Sequence, residues 1–136
     1  MNYIYLFSKL LFVVSIIFSF YIMHHPETIN GLHIQYIAYK NAQHEYIPDV
    51  YDCTQFSENL VKELRNEGYN AIKVCGFVDE NNIYHITECM NNDMVMIPNK
   101  YDKNYIGHAW VYLQDYKMFI EATNGEIIDN QYVKIG

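Results

Sequence analysis

Apolar residues are massed at the start of the chain and then follow two different rhythms. "LLFVVSIIFSFYIM", Leu10 to Met23, is 14 residues without a charge; traced back to Tyr3 it reaches 21, interrupted by Ser8 and Lys9. A bilayer core is crossed by about 20 apolar residues, whereas the core of a signal peptide needs only about 7–15. Three readings stand: a retained anchor, a cleaved signal, and a buried helix. The anchor is favoured, because the exit reads "HHPET" with no small-x-small cleavage site and bulky residues run to its end. Lys9 near the start orients the N-terminus inward and can snorkel. Anchor and signal both put the rest of the chain outside the cytoplasm.

Beyond this segment, "YDCTQFSENLVKELRNEGYN" has the period of a helix. Phe56, Leu60, Val61 and Leu64 fall on one helical face. Asp52 with Gln55 three residues on fits a capping box, which makes Cys53 the first helical residue. It then shares the face of Phe56 and Leu60. Gly68 suits the helix end, with Lys62 and Arg65 close by where the dipole favours cations. "NAIKVCGFV" alternates as a strand, with Ile72, Val74 and Gly76 on one side. "GHAWVYL" and "YKMFIEAT" predict a hairpin around Gln114-Asp115, and Asn124-Gly125 signals a turn into a last strand near Glu126–Asp129. Residues 79–106 are polar, Asn-rich and broken by Pro98; they read as a loop-rich insertion with strand candidates at Ile83–Thr87 and Met94–Ile97. Glu27 to Tyr51 fits either a helix or an extended arm.

Composition narrows the class. The 136 residues divide into a segment 1–26 and a domain 27–136, room for one core. Half the residues are apolar and 14 are Tyr, as in a packed domain. Only Lys9 among nine Lys and Arg, and none of the 16 acids, lies in the segment, so the domain carries a net charge of −8. There is no basic stripe, which excludes phosphate-led nucleic-acid binding.

The chemistry concentrates in the hairpin. His108, Trp110 and Tyr112 share one face of its first strand; Lys117, Phe119 and Glu121 share one face of the second. A two-residue loop at 114–115 would place His108 opposite Glu121, with Cβ atoms about 5 Å apart; a longer loop makes the contact diagonal. A carboxylate on one imidazole nitrogen fixes the tautomer, which is useful if the other nitrogen faces a group to deprotonate. Cys53 is that candidate, because a helix N-terminus and an imidazolium both lower a thiol pKa, and the helix start offers N–H groups to an oxyanion. Taken singly, the bland readings are stronger: a buried small hydrophobe for Cys53, a satisfied strand residue for His108, a surface acid for Glu121. The joint arrangement raises the sharper one.

These residues also carry a resemblance. "YDCTQFSENLVKELRNEGYNAIKV" followed by "GHAWVYLQDYKMFIEATNGEI" resembles the transglutaminase-like branch of the papain-like cysteine enzymes. The shared pattern is a Cys opening a helix, Gly-Tyr-x-Ala leading into a strand, Gly-His-Ala-Trp-Val, and an acid followed by a small residue and Thr. It covers roughly Tyr51 to Asp129, with 79–106 unmatched. The resemblance implies an α+β fold: a helix carrying the Cys packed on a small antiparallel sheet, preceded by one hydrophobic helix. It implies a Cys53-His108-Glu121 triad without cofactor or metal, a protein or peptide substrate, and chemistry on amide bonds through a thioester. The third position departs from the family, which has Asp, commonly followed by Pro-Thr; here it is Glu121-Ala122-Thr123. The family's second oxyanion donor lies upstream of the Cys, where Gln35, Gln43 and several Tyr are candidates. "DCTQF" with the hairpin also resembles bacterial cell-wall peptidases of the same superfamily, although Gln55 replaces their Gly. A non-catalytic binding domain is the other alternative. Cys75 and Cys89 are either a disulfide pinning the insertion or two thiols.

Overall fold

The computed structural model describes residues 2–90, 94–96 and 107–135, with the side chains of 26, 88–90 and 94–96 outside the description. The fold class is α+β: three α-helices and a mixed seven-stranded sheet. By internal packing the chain divides into residues 1–34 and 35–136. The division falls inside the second helix.

Helix α1, Tyr3–His24, has 22 residues and none is buried. At about 1.5 Å per residue it matches a bilayer core of about 30 Å. It is long and apolar enough to cross a membrane or to serve as a signal sequence. Lys9 Nζ lies 4.5 Å from the Tyr5 ring centre, so its charge reaches back toward the helix start.

Helix α2, Pro26–Asn41, resolves the segment that reads as helix or arm. Pro26 takes the first helical position, where its missing N–H costs nothing. Ile34, Ile37, Ala38 and Asn41 are buried at i, i+3, i+4 and i+7. The stripe is hard to see in the sequence because its last member is polar and several Tyr interrupt it.

Helix α3, Cys53–Asn66, starts where its capping box predicts. Thr54 N–H donates to Asp52 Oδ1 at 2.9 Å, and Asp52 N–H donates to Gln55 Oε1 at 3.0 Å. Its end is closed by Gly68 at φ +90°, with Tyr69 N–H on Leu64 O and Gly68 N–H on Arg65 O, both 3.0 Å. Phe56, Leu60, Val61 and Leu64 are buried. Each fully buried Leu contributes about 2 kcal/mol.

The strands are β1 Ala71–Val78, β2 Tyr84–Met90, β3 Met94–Met96, β4 Gly107–Leu113, β5 Met118–Glu121, β6 Glu126–Ile128 and β7 Val133–Ile135. Their order is β3-β2-β1-β4-β5-β6, with β7 parallel to β2. Helix α3 packs on β4 and β1. The Lys73–Glu58 ion pair, with Arg65 Nε donating to Ala71 O at 2.8 Å, ties the helix to the face of Ala71 and Lys73. The other face carries Ile72, Val74, Trp110, Ile86 and Ile128, flanked by Tyr84, Tyr112, Phe119 and Val133.

The two strand candidates of the insertion are present as β2 and β3, but the segment is less loop-rich than expected: β2 runs on to Met90 and lies interior to the sheet. A bulge interrupts its pairing: Cys75 pairs with Glu88 but Gly76 with Ile86, so Thr87 is an extra residue. Thr87 Oγ1 donates to Cys75 O at 3.3 Å across the bulge. Positions 91–93 and 97–106 of that segment, Ile97 of the second candidate strand among them, lie outside the described residues. Of the two hairpin loops the sequence leaves open, the longer one forms. Leu113 pairs with Met118, leaving Gln114–Lys117 as the loop with Lys117 at φ +50°. Gln-Asp lacks the positive-φ residues a tight hairpin turn needs.

Gly76 sits at the bulge without room for a side chain. An added Cβ would lie 1.8 Å from the His85 carbonyl oxygen and 3.1 Å from the Trp110 ring. A backbone carbonyl in a ladder cannot swing aside. Gly76→Ala is therefore expected to cost about 3 kcal/mol or more. Gly31→Ala, with nothing within 4 Å of its Cβ, should leave stability unchanged or raise it slightly. Thermal unfolding of the detergent-solubilised chain measures both; equal melting of the two variants would contradict the close approach.

Candidate active site

The site forms where two strands part. β4 pairs with β1 along its whole length but with β5 only at Val111–Leu113. Residues 107–110 therefore keep one backbone edge uncovered. The first turn of α3 reaches that edge, and the Ala109 N–H donates to the Cys53 thiol. Cys53 is only partly buried, so the sulfur is accessible as well as held.

The register puts Ile120 opposite Val111, so Glu121 follows on the face of Trp110, one step diagonal from His108. The diagonal suits a glutamate, whose extra methylene covers the added distance. His108 Nε2 donates to Glu121 Oε2 at 2.6 Å, a charge-assisted bond. The remaining nitrogen, Nδ1, is left for Cys53, with which the His108 side chain is hydrogen-bonded. The imidazole stacks on Trp110, ring centres 5.9 Å apart, and Trp110 is fully buried. An aromatic floor excludes water from one side of the ion pair.

Glu121 is 6% exposed. Burial alone would favour its neutral form, but the bonds to His108 and Thr123 hold it below the usual carboxylate range. Thr123 Oγ1 and N–H donate to Oε1 at 2.8 and 3.3 Å, and Tyr84 O–H donates to Oε2 at 3.1 Å. Burial likewise pulls the His108 imidazole down, yet its hydrogen bonds to Cys53 and Glu121 outweigh it and lift the value to about 9. The Cys53 thiol is pushed below its ordinary value, first by the His108 hydrogen bond and then by the Ala109 N–H, against burial. Each group favours the other's charged form, thiolate beside imidazolium, and the two titrate as a coupled pair.

Other predicted features fall elsewhere. Gln43 Nε2 donates to Tyr39 O at 3.2 Å, and Gln35 borders a separate cavity with Tyr39 and Asn124. Neither is placed at the thiol. Asp52 takes the Thr54 N–H, and among the described residues no acceptor holds the Cys53 N–H. That N–H is an open donor beside the sulfur, suited to an oxyanion. The register pairs Cys75 with Glu88 and Cys89 with Val74, and the Cys89 side chain lies outside the described residues. Among the described residues no three His, Cys, Asp or Glu are grouped to hold a metal ion.

The sequence does not point to Tyr84, Asn41 or the Ala109 N–H. Thr123 has a signal, two residues beyond an acid, but its two bonds to that carboxylate appear only in the fold. Tyr84 lies in the unmatched segment. Asn41 is fully buried; its Nδ2 donates to Phe56 O at 3.0 Å and Ala122 O at 3.4 Å, joining the Cys53 helix to the residue after Glu121. A cavity of about 510 Å³ borders Tyr84 and Glu121 with Asn81, Asn82, Glu126, Asp129 and Tyr132.

No family model matches this sequence, and no curated protein or solved structure is significantly similar to it.

Two consequences can be measured. Iodoacetamide at pH 6 should alkylate Cys53 at least about tenfold faster than glutathione, because only the thiolate reacts. His108→Ala should bring the rate down to that of an ordinary thiol, and the gap should close as pH rises through 9. Equal rates in the two proteins at pH 6 would remove the ion pair. The sign for stability follows from the raised imidazole value. The stability from protonated His108 is complete below its ordinary value of roughly 6.5 and is lost as pH rises through about 9. Denaturant unfolding of wild type minus His108→Ala should shrink over that window.

Proposed function

We propose that the chain is a cysteine hydrolase or acyltransferase of the transglutaminase-like kind, acting on amide bonds of a protein or peptide. The observation that carries this reading is the Cys53–His108–Glu121 chain of hydrogen bonds at an open helix N-terminus. The Cys53 sulfur attacks the amide carbonyl carbon, and the negative oxygen that forms meets the Cys53 N–H. The carbon–nitrogen bond then breaks as His108 delivers its proton to the leaving amine, which leaves a thioester on Cys53. Water attacks the thioester, His108 takes its proton, and the acid departs as the thiolate and imidazolium are restored. Glu121 holds the ring throughout and stays ionised. Hydrolysis is preferred over amine transfer because a domain of this size has little room for a second protein substrate.

The N-terminal helix supports a membrane-tethered or exported enzyme, with Lys9 on the cytoplasmic side and the domain outside. The transglutaminase-like branch is favoured over the cell-wall peptidase branch. The position where those enzymes have Gly is Gln55, which here closes the helix cap. A non-catalytic binding role is the second reading, favoured by the placement of the upstream candidates Gln35 and Gln43 beside Tyr39 rather than at the thiol.

The test is amide turnover by the full-length protein on a glutamine- and peptide-amide panel, with products read by mass spectrometry. Cys53→Ala should abolish turnover, His108→Ala should lower it by about a thousandfold or more, and Glu121→Gln by roughly ten- to a hundredfold. Added hydroxylamine should divert the acyl group to a hydroxamate at the expense of the acid. Turnover that survives Cys53→Ala would refute the mechanism. Retention of the biological effect by Cys53→Ser would favour the binding role.

A further inference from the structure

Glutamate at the third position brings a problem that aspartate does not have. It has one more rotatable bond, and therefore more ways to turn its carboxylate away from the imidazole. The space to turn into is present, because the cavity of about 510 Å³ borders Glu121 directly. Thr123 restrains Oε1, but it lies only two residues along and shares the same short segment. Oε2, which receives His108, needs a restraint from outside that segment.

We propose that Tyr84 is a positioning residue: its O–H holds Glu121 in the rotamer that meets His108. The proposal rests on reading Cys53, His108 and Glu121 as a catalytic set. Tyr84 O–H donates to Glu121 Oε2 at 3.1 Å, the same oxygen that His108 Nε2 reaches at 2.6 Å. With Thr123 on Oε1, both carboxylate oxygens are anchored and the plane of the group is set. Tyr84 is itself held firmly. It sits in β2 opposite Val78 and Val133, and its ring meets the edge of Trp110 with centres 5.1 Å apart. β2 is separated from β5 by β1 and β4 in the sheet, so the restraint comes from an independent part of the frame. The titratable groups facing Tyr84 are Glu121, Glu126 and the His108 ring. Burial and the nearby Glu121 charge push its pKa above the ordinary tyrosine value, so it remains a donor across the working pH range. Tyr84 also explains how a Glu can serve where the resembled family has Asp: the longer side chain is braced from across the sheet.

The experiment is Cys53 alkylation by iodoacetamide from pH 5 to 10 in the full-length protein in detergent, followed on the Cys53 peptide by mass spectrometry. Four proteins are compared: wild type, Tyr84→Phe, Glu121→Gln and the double variant. Tyr84→Phe keeps the ring and its packing and removes only the hydroxyl. It should slow alkylation about tenfold at pH 6 and leave the rate at pH 10 unchanged. The double variant should behave like Glu121→Gln alone, because the hydroxyl acts only through that carboxylate. An unmoved pH profile in Tyr84→Phe, with or without a lower melting temperature, would overturn the proposal, as would additive effects in the double variant. A wild-type Cys53 no faster than glutathione at pH 6 would overturn the catalytic reading and this proposal with it. A fast wild type with an unmoved Tyr84→Phe would overturn this proposal alone.

Discussion

An ionised carboxylate in a nearly dry place constrains the rest of this domain. Glu121 is 6% exposed, and an unpaired buried charge would simply neutralise. It stays charged because four hydrogen bonds reach it, from His108, Tyr84 and Thr123 twice. Each donor makes a demand on the fold. His108 has to lie one diagonal step away on β4, β2 has to enter the sheet to bring Tyr84, and the chain has to turn sharply after Glu121 to bring Thr123 back. The turn runs from Ala122 to Gly125 between paired Glu121 and Glu126. It closes through Gly125 N–H on Glu121 O at 2.8 Å, with Gly125 at φ +77° and an added Cβ in tight contact, 3.0 Å, with the Ala38 backbone. Glycine is required there twice over, by conformation and by contact.

The nucleophile's position depends on a separate set of restraints. The reciprocal cap by Asp52 and Gln55 fixes the first turn of α3, and with it the direction of the Cys53 side chain. Asn41 then links that helix to the segment of Glu121. A buried side-chain amide is expensive unless its hydrogen bonds are made. Here Nδ2 donates to two carbonyls, and Oδ1 accepts from Asn59 Nδ2 at 2.7 Å. The amide joins α2, α3 and the loop after β5 at one point. The thiol and the carboxylate approach the imidazole from different elements, and Asn41 is where those elements are tied.

Proximity at the open edge of β4 converts these restraints into reactivity. The same geometry lowers the thiol and raises the imidazole, since each stabilises the other's charged form. Because β5 stops pairing at Val111, a backbone N–H that would otherwise serve the ladder is available to the sulfur. The site is built from an unfinished sheet edge and a finished helix cap.

Local patterns in the sequence determined the pieces. A charge-free run makes α1, an apolar face with a capping pair makes α3 and places Cys53 at its start, and alternation makes β1 and β4 with His108 beside Trp110. These depend on neighbours within a few residues, so periodicity and capping chemistry reveal them. Tertiary structure decided how the pieces meet. β2 was legible only as a short candidate ending at Thr87, because the bulge there breaks its alternation, and α2 only as helix or arm, because its buried stripe ends on a polar Asn41 whose partners lie elsewhere in the chain. Glu121 was legible as a partner for His108 only up to a choice of register. The longer turn at Gln114–Lys117 made that choice, through backbone conformations that Gln-Asp does not announce. Tyr84 had no signal at all, because its role exists only once a strand 37 residues away in sequence is folded beside Glu121.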